Sequence, residues 1–245
     1  MNPDTLINYL AGYLKIADFQ DYGPLGLQVE GKQRVRKVVT AVSASVELFE
    51  RARERGADLV IVHHGIFWDR ESRVLKGGLK DRIRLLLDGD ITLLAYHLPL
   101  DKHPRVGNNA VAARKLGLKK PAPLGEIGIQ GEISPLTLLR LLKRVKSVYG
   151  SDPLVFPYGP AQIKRLGICS GAAQGEIGEA IEAGLDAYLT GEASEQTMHL
   201  AKEGKIHFIA AGHYATEKLG IRALGDHIAR KFNLKVEFID IPNPV

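Results

Sequence analysis

Apolar positions along this chain fall into two rhythms: short uncharged runs of β-branched residues, and longer stretches in which apolar residues recur at helical spacing. Leu6, Ile7, Leu10, Leu14 and Ile16 share one face of a first helix that Asn2 or Asp4 can cap. Residues 34–42 form a predicted strand. A helix follows, capped by Ser43 or Ser45, and Gly56 ends it after Arg55. Leu59 to Val62 has the composition of a fully buried strand, a helix is expected over 79–87, and a second apolar run covers Ile91 to Tyr96. Between the first helix and the strand over 34–42, residues 21–31 (DYGPLGLQVEG), with three glycines and a proline, suit either a loop that approaches a ligand or a turn into the next strand.

The second half repeats the plan. A strand over 163–168, a small-residue turn over 170–175 and a helix over 176–183 lead into a strand at 187–189. A helix to Lys202 and a strand over 206–211 complete it. Gly184-Leu185-Asp186 enters its strand as Gly56-Ala57-Asp58 does in the first half. Each half is therefore β-α-β-α-β, which predicts an α/β fold of two similar subdomains from an internal pseudo-repeat. The first subdomain is expected to span 1–125, joined by the C-terminal 212–245, and the second 126–211. Residues 119–125 (KKPAPLG) are predicted to be a connector and 128–133 a strand. Ser134 and Pro135 cap a helix to Val148, and residues 151–160 form a loop. A helix to Lys231 and a strand over 234–239 close the chain.

Both halves deliver the same chemistry at strand ends, where open α/β sheets bind ligands. The strand at 59–62 runs into His63 and His64, and the one at 91–96 runs into His97 with Asp101 four residues on. Residues 206–211 run into Gly212 and His213, with Glu217 four residues on. His213 and Glu217 open a helix, so they share a face and can hold one ion. Pro99 is expected to place His97 and Asp101 on an extended loop instead. Imidazole and carboxylate without thiolate suit Zn, Mn, Fe, Ni or Co, and do not choose among them. A bridging carboxylate flanked by histidines is typical of two-ion sites, with Glu217 the expected bridge. His103, His199, His207 and His227 lack this context and are read as surface or satisfied histidines; Trp68 and Phe67 are read as packing.

Composition narrows the class. The single cysteine, Cys169, excludes an intramolecular disulfide and a cysteine metal cluster, which suits a reducing cytoplasm. No uncharged run is long enough for a membrane span, and no basic segment precedes an apolar core at the amino terminus, so a soluble protein with no membrane partner is expected. The net charge of +5 favours an anionic small molecule such as a nucleotide without arguing for duplex DNA. Neither a P-loop lysine nor a glycine-flanked nucleophile elbow around Ser43, Ser45 or Ser170 is present.

The segments DYGPLGLQVEG (21–31), VIVHHGIFW (60–68), YHLPLDKHPRVGNN (96–109), LTGE (189–192) and GHYATEKLG (212–220) resemble, in order, the Nif-three-like family of GTP cyclohydrolase I type II homologues. The resemblance implies a dinuclear centre of two divalent transition-metal ions, with His63, His64, Asp101, His213 and Glu217 as ligands and His97 close by. It also implies two α/β subdomains with the metals in the cleft between them, and a ring-shaped homohexamer. The expected activity is metal-dependent hydrolysis of a nucleotide or other heterocyclic small molecule, with His97 as a catalytic proton carrier. The alternative is non-enzymatic: a metal-stabilised ring binding nucleic acid or a regulatory protein, or a metal chaperone. Leu25 departs from the family pattern, which has asparagine before Gly26, and the region over 121–160 is short, as in members without an inserted domain.

Overall fold

The computed structural model describes residues 1–245. The chain divides into two compact units, residues 1–100 with 221–241, and residues 101–220 with 242–245. No helix is long and apolar enough to cross a membrane.

The first unit opens with α1 (Pro3–Leu14), whose N-terminal amides are capped by the Asn2 side chain accepting from Asp4 N. Its sheet contains β1 (Gly26–Val29), β2 (Lys37–Ser43), β3 (Leu59–His64), β4 (Thr92–Ala95) and β11 (Lys235–Phe238), in the order β1-β4-β3-β2-β11. The pairs β11–β2, β2–β3 and β3–β4 are parallel, and β1 runs antiparallel to β4. Helices α2 (Val46–Glu54) and α3 (Gly77–Asp88) cross between the parallel strands, and Ser45 caps α2 by accepting from Leu48 N. Val39, Phe49, Val60, Val62, Leu86 and Leu93 form a core with no solvent exposure. Strand β3 is apolar on both sides because both of its faces are covered.

The second unit holds a six-stranded sheet of β5 (Lys119–Leu124), β6 (Gly128–Leu136), β7 (Leu154–Pro157), β8 (Ile163–Ile168), β9 (Ala187–Thr190) and β10 (His207–Ala210). Its order is β5-β6-β8-β9-β10-β7, with β8, β9 and β10 parallel. Helices α5 (Asn108–Leu116) and α6 (Leu138–Tyr149), together with α7 (Ile177–Glu182) and α8 (Thr197–Glu203), provide the apolar faces that cover it. Leu189 and Ile209 contribute to one core, while their neighbours Tyr188 and Phe208 contribute to another. That alternation is what a sheet buried on both faces requires. Helix α9 (His213–Phe232) begins in this unit and is counted with the first from Ile221.

The pseudo-repeat extends to individual hydrogen bonds. Asp58 Oδ2 accepts from Arg36 N and Lys37 N, and Asp186 Oδ2 accepts from Lys164 N and Arg165 N. The backbone carbonyls of the same two aspartates accept from Thr92 N and His207 N. Each aspartate thus ties the starts of three parallel strands together. Burial alone would raise the Asp58 carboxyl, but the two amides and Lys32 outweigh it and hold the group below its ordinary value. A depressed carboxyl contributes stability above its unfolded pKa of about 4, and that contribution is lost as pH falls through the folded value. Asp58→Asn is expected to cost about 1–3 kcal/mol near neutral pH. In urea titrations over a pH series, the gap between variant and parent should close as pH drops below about 4; a gap independent of pH would mean that the carboxylate charge is not what matters.

Four local expectations are corrected. Residues 119–125 are not a connector: β5 occupies Lys119–Leu124 of them, tolerating Pro121 and Pro123 because it lies at the sheet edge. Leu154–Pro157 in the expected loop is the opposite edge strand, β7, antiparallel to β10. Ser134 and Pro135 do not open a helix, since β6 runs through them with a register shift between Glu132 and Leu136, and Thr137 precedes α6. Finally, Leu98–Lys102 is a short helix, α4, in which Pro99 occupies the second position, where its missing amide hydrogen costs nothing.

Candidate metal centre

In the first unit, β3 and β4 carry three imidazoles to one place. His63 is fully buried at the end of β3, and its Nδ1 donates to the Tyr96 carbonyl at 3.0 Å. His64, paired in register with Ser43 of β2, has Nδ1 2.9 Å from the Ser43 hydroxyl. His97, just past β4, donates from Nδ1 to Asp21 Oδ1 at 2.7 Å, and the other Asp21 oxygen accepts from Leu98 N. Burial would raise the Asp21 carboxyl, but His97 and the amides of Tyr22 and Leu98 outweigh it and lower it. Each histidine offers a ligand atom, and the three atoms lie within 4.8 Å of one another. Ring centroids stand 4.7 Å apart for His63 and His64, and 5.0 Å for His63 and His97.

In the second unit, His213 and Glu217 lie one turn apart at the start of α9, with Nε2 3.1 Å from Oε1. His213 Nδ1 donates to Glu192 Oε1 at 2.5 Å. Burial alone would lower the His213 pKa, but Glu217 and Glu192 outweigh it and raise it to about 9. Glu217 is buried, and it has room there because residue 171 is glycine: at its φ of +73°, an added Cβ would fall 2.5 Å from Glu217 Oε1. Asp101 is 2% exposed, and its Oδ1 accepts from both Asn108 Nδ2 and Ser170 Oγ, at 2.8 and 2.7 Å.

One pattern is common to all four histidines: Nδ1 is engaged by a carbonyl, a hydroxyl or a carboxylate. An oxygen on the far nitrogen fixes the tautomer and aims Nε2, which is how metal-binding histidines are usually held. With carboxylates and no thiolate, the donor set fits a divalent transition metal. Asp21, Ser43, Glu192 and Ser170 hold these groups without carrying a metal-ligand pattern of their own. Of these, only Glu192 had a sequence signal, its place at the end of an apolar run. The remaining histidines lie elsewhere. His103 accepts from Arg105 N and Val106 N, His207 bonds Gly159 N and Pro160 O, His227 bonds Tyr9, and His199 is exposed.

A model of the family Duf34/NIF3 (NGG1p interacting factor 3) matches residues 1–244. The chain belongs to this family. Among Duf34/NIF3 relatives, a protein of Pseudomonas aeruginosa named GTP cyclohydrolase 1 type 2 homolog is 48% identical over 98% of this chain and 97% of its own. Two solved structures share the fold over the whole of both chains. Protein ybgI, described as of unknown function, has 45% identity and a TM-score of 0.96. TTHA1606 from Thermus thermophilus has 38% identity and a TM-score of 0.94.

Proposed function

We propose that His63, His64, Asp101, His213 and Glu217 are the ligands of a dinuclear centre of two divalent transition-metal ions per chain, and that the protein is a metal-dependent hydrolase of a nucleotide or other heterocyclic small molecule. The observation that carries this reading is the shared engagement of Nδ1 in His63, His64 and His213, which presents Nε2 of each for coordination, while the same engagement in His97 leaves its Nε2 for proton transfer. The family's GTP cyclohydrolase names make hydrolytic opening of the guanine imidazole ring, with release of formate, the first activity to test. A cytoplasmic, ring-shaped homohexamer is the assembly we assign to it.

Bound metal supplies an activated water and stabilises developing negative charge. The chain's own groups do the rest. His97, its Nδ1–H committed to Asp21, is placed to hold and move a proton at Nε2, which ring opening requires at the departing nitrogen. Asp21 keeps that imidazole in one tautomer and one orientation. Asn108 and Ser170, both on Oδ1 of Asp101, orient the second oxygen of that carboxylate.

The test is formate release from GTP by metal-loaded protein, with and without chelator. Turnover is expected and should stop on chelation. His97→Gln should lower it by about 10²- to 10⁴-fold with metal content unchanged. If GTP is inert while another nucleotide or an amide is cleaved, the cyclohydrolase assignment falls and the hydrolase stands. If metal exchanges with no turnover of any nucleotide, the enzyme reading falls to the chaperone or scaffold.

A further inference from the structure

Trp68, whose ring meets those of His64 and His97, also lines a cavity of about 300 Å³ that the metal reading does not use. Ile66, Phe67 and Trp68 form one wall, and Pro24 and Leu79 close it. The wall is built rather than loose. Gln28 accepts from Ile66 N and donates to the Pro24 carbonyl, and Asp69 N donates to the Tyr22 carbonyl, which stitches the 22–28 segment onto 65–69. Phe67 packs partly against the sheet core, as expected. Trp68 is half-buried, and its ring stands edge-on to His97 at 5.3 Å and tilted against His64 at 5.9 Å. Asp69 and Glu71 also line the cavity, against the single guanidinium of Arg73.

We propose that this cavity receives the base of the substrate: a planar nitrogen heterocycle lying against Trp68, with an N–H donor edge turned to the carboxylates of Asp69 and Glu71. The volume is at the lower limit for small-molecule sites, room for a base rather than a whole nucleotide. Aromatic walls take the flat faces of any base, since each has a π-face to stack. Two carboxylates against one guanidinium repel a phosphate and accept from an amidine-like edge such as that of guanine. Phosphates therefore remain outside the cavity, and the base enters ring-first against Trp68, the residue that joins the cavity wall to His97 and His64. The assignment rests on the hydrolase reading for its purpose, but it is tested by binding alone.

Trp68 is the only tryptophan, so its emission reports the cavity directly. The experiment titrates guanosine, purine riboside and ribose 5-phosphate into metal-loaded and chelator-treated protein. Guanosine should quench Trp68 saturably in both states. Purine riboside, which lacks the donor edge, should bind about tenfold more weakly, and ribose 5-phosphate should leave the emission unchanged. By calorimetry, Trp68→Ala should weaken guanosine at least about tenfold, Trp68→Phe much less, and neither should change the metal content. Absence of quenching, equal binding by Trp68→Ala and parent, equal binding of guanosine and purine riboside, or quenching by ribose 5-phosphate each overturns the proposal. Guanosine binding in a protein that holds no metal would sink the hydrolase reading and leave the base cavity standing. Metal binding and turnover without quenching would do the reverse.

Discussion

Glu217→Ala and His64→Ala are each expected to lose most of the metal that the parent carries, about two ions per chain in a dinuclear site, while remaining folded. The two residues sit differently in their surroundings, and that difference sharpens the expectation. Glu217 is almost fully buried, with Oε1 3.1 Å from His213 Nε2, so its removal takes away a ligand beside another proposed ligand atom. His64 is only half-buried at the end of β3, so its removal should leave stability within about 1 kcal/mol of the parent. Elemental analysis normalised to chain concentration, beside far-ultraviolet circular dichroism, separates the effects. Glu217→Gln, which keeps the volume and removes the charge, distinguishes lost coordination from a cavity left in the second unit. Retention of two ions by both alanine variants would remove these residues from the ligand set, whatever happened to activity. Unfolding of Glu217→Ala with no change in bound metal would make the carboxylate structural.

Much of this architecture was legible because the parallel strands announce themselves. Leu59–His64 and His207–Ala210 are uncharged or nearly so, since both of their faces are covered, and their ends are marked by histidine or by glycine followed by histidine. The strands that escaped, β1, β5 and β7, are all sheet edges paired antiparallel to a single neighbour. An edge strand needs only half its backbone bonds from the sheet, so it tolerates the prolines and glycines that read as turns. Pro121 and Pro123 in β5, and Gly26 opening β1, are such residues. Pro99 misled in the same way, because one proline that forbids a helix interior is harmless in a first turn. The histidines themselves were visible; apart from Glu192, the groups that hold them were not. Asp21 lies 76 residues from His97 and Ser43 lies 21 from His64, and pairings at such separations depend on strand order rather than on any local spacing.

The second large effect is expected at Gly191, where β9 gives way to the loop before α8. Gly191 N donates to the Gly171 carbonyl and Gly191 O accepts from Gly212 N, so this residue joins the ends of three successive segments of the second unit. An added Cβ would fall 2.6 Å from Gly171 O, 2.6 Å from His213 Cα and 2.9 Å from His213 N. All three are backbone atoms, and no flexible side chain can yield. Gly191→Ala must therefore displace either the 171 loop or the start of α9, at about 3 kcal/mol by analogy with overpacked cores. In a chain of this size that corresponds to a fall in Tm of about 6–12 °C. Gly178, in the exposed first turn of α7 with nothing within 4 Å of an added Cβ, supplies the opposite case: Gly178→Ala should stabilise by up to about 1 kcal/mol through helix propensity. Because Gly191 abuts the backbone of His213, its alanine variant should also bind metal more weakly than Gly178→Ala in a side-by-side titration. Equal melting temperatures for the two variants would show that the strand ends of this unit are free to move apart. The tight joint between Gly171, Gly191 and His213 would then not be what sets the position of the His213 imidazole.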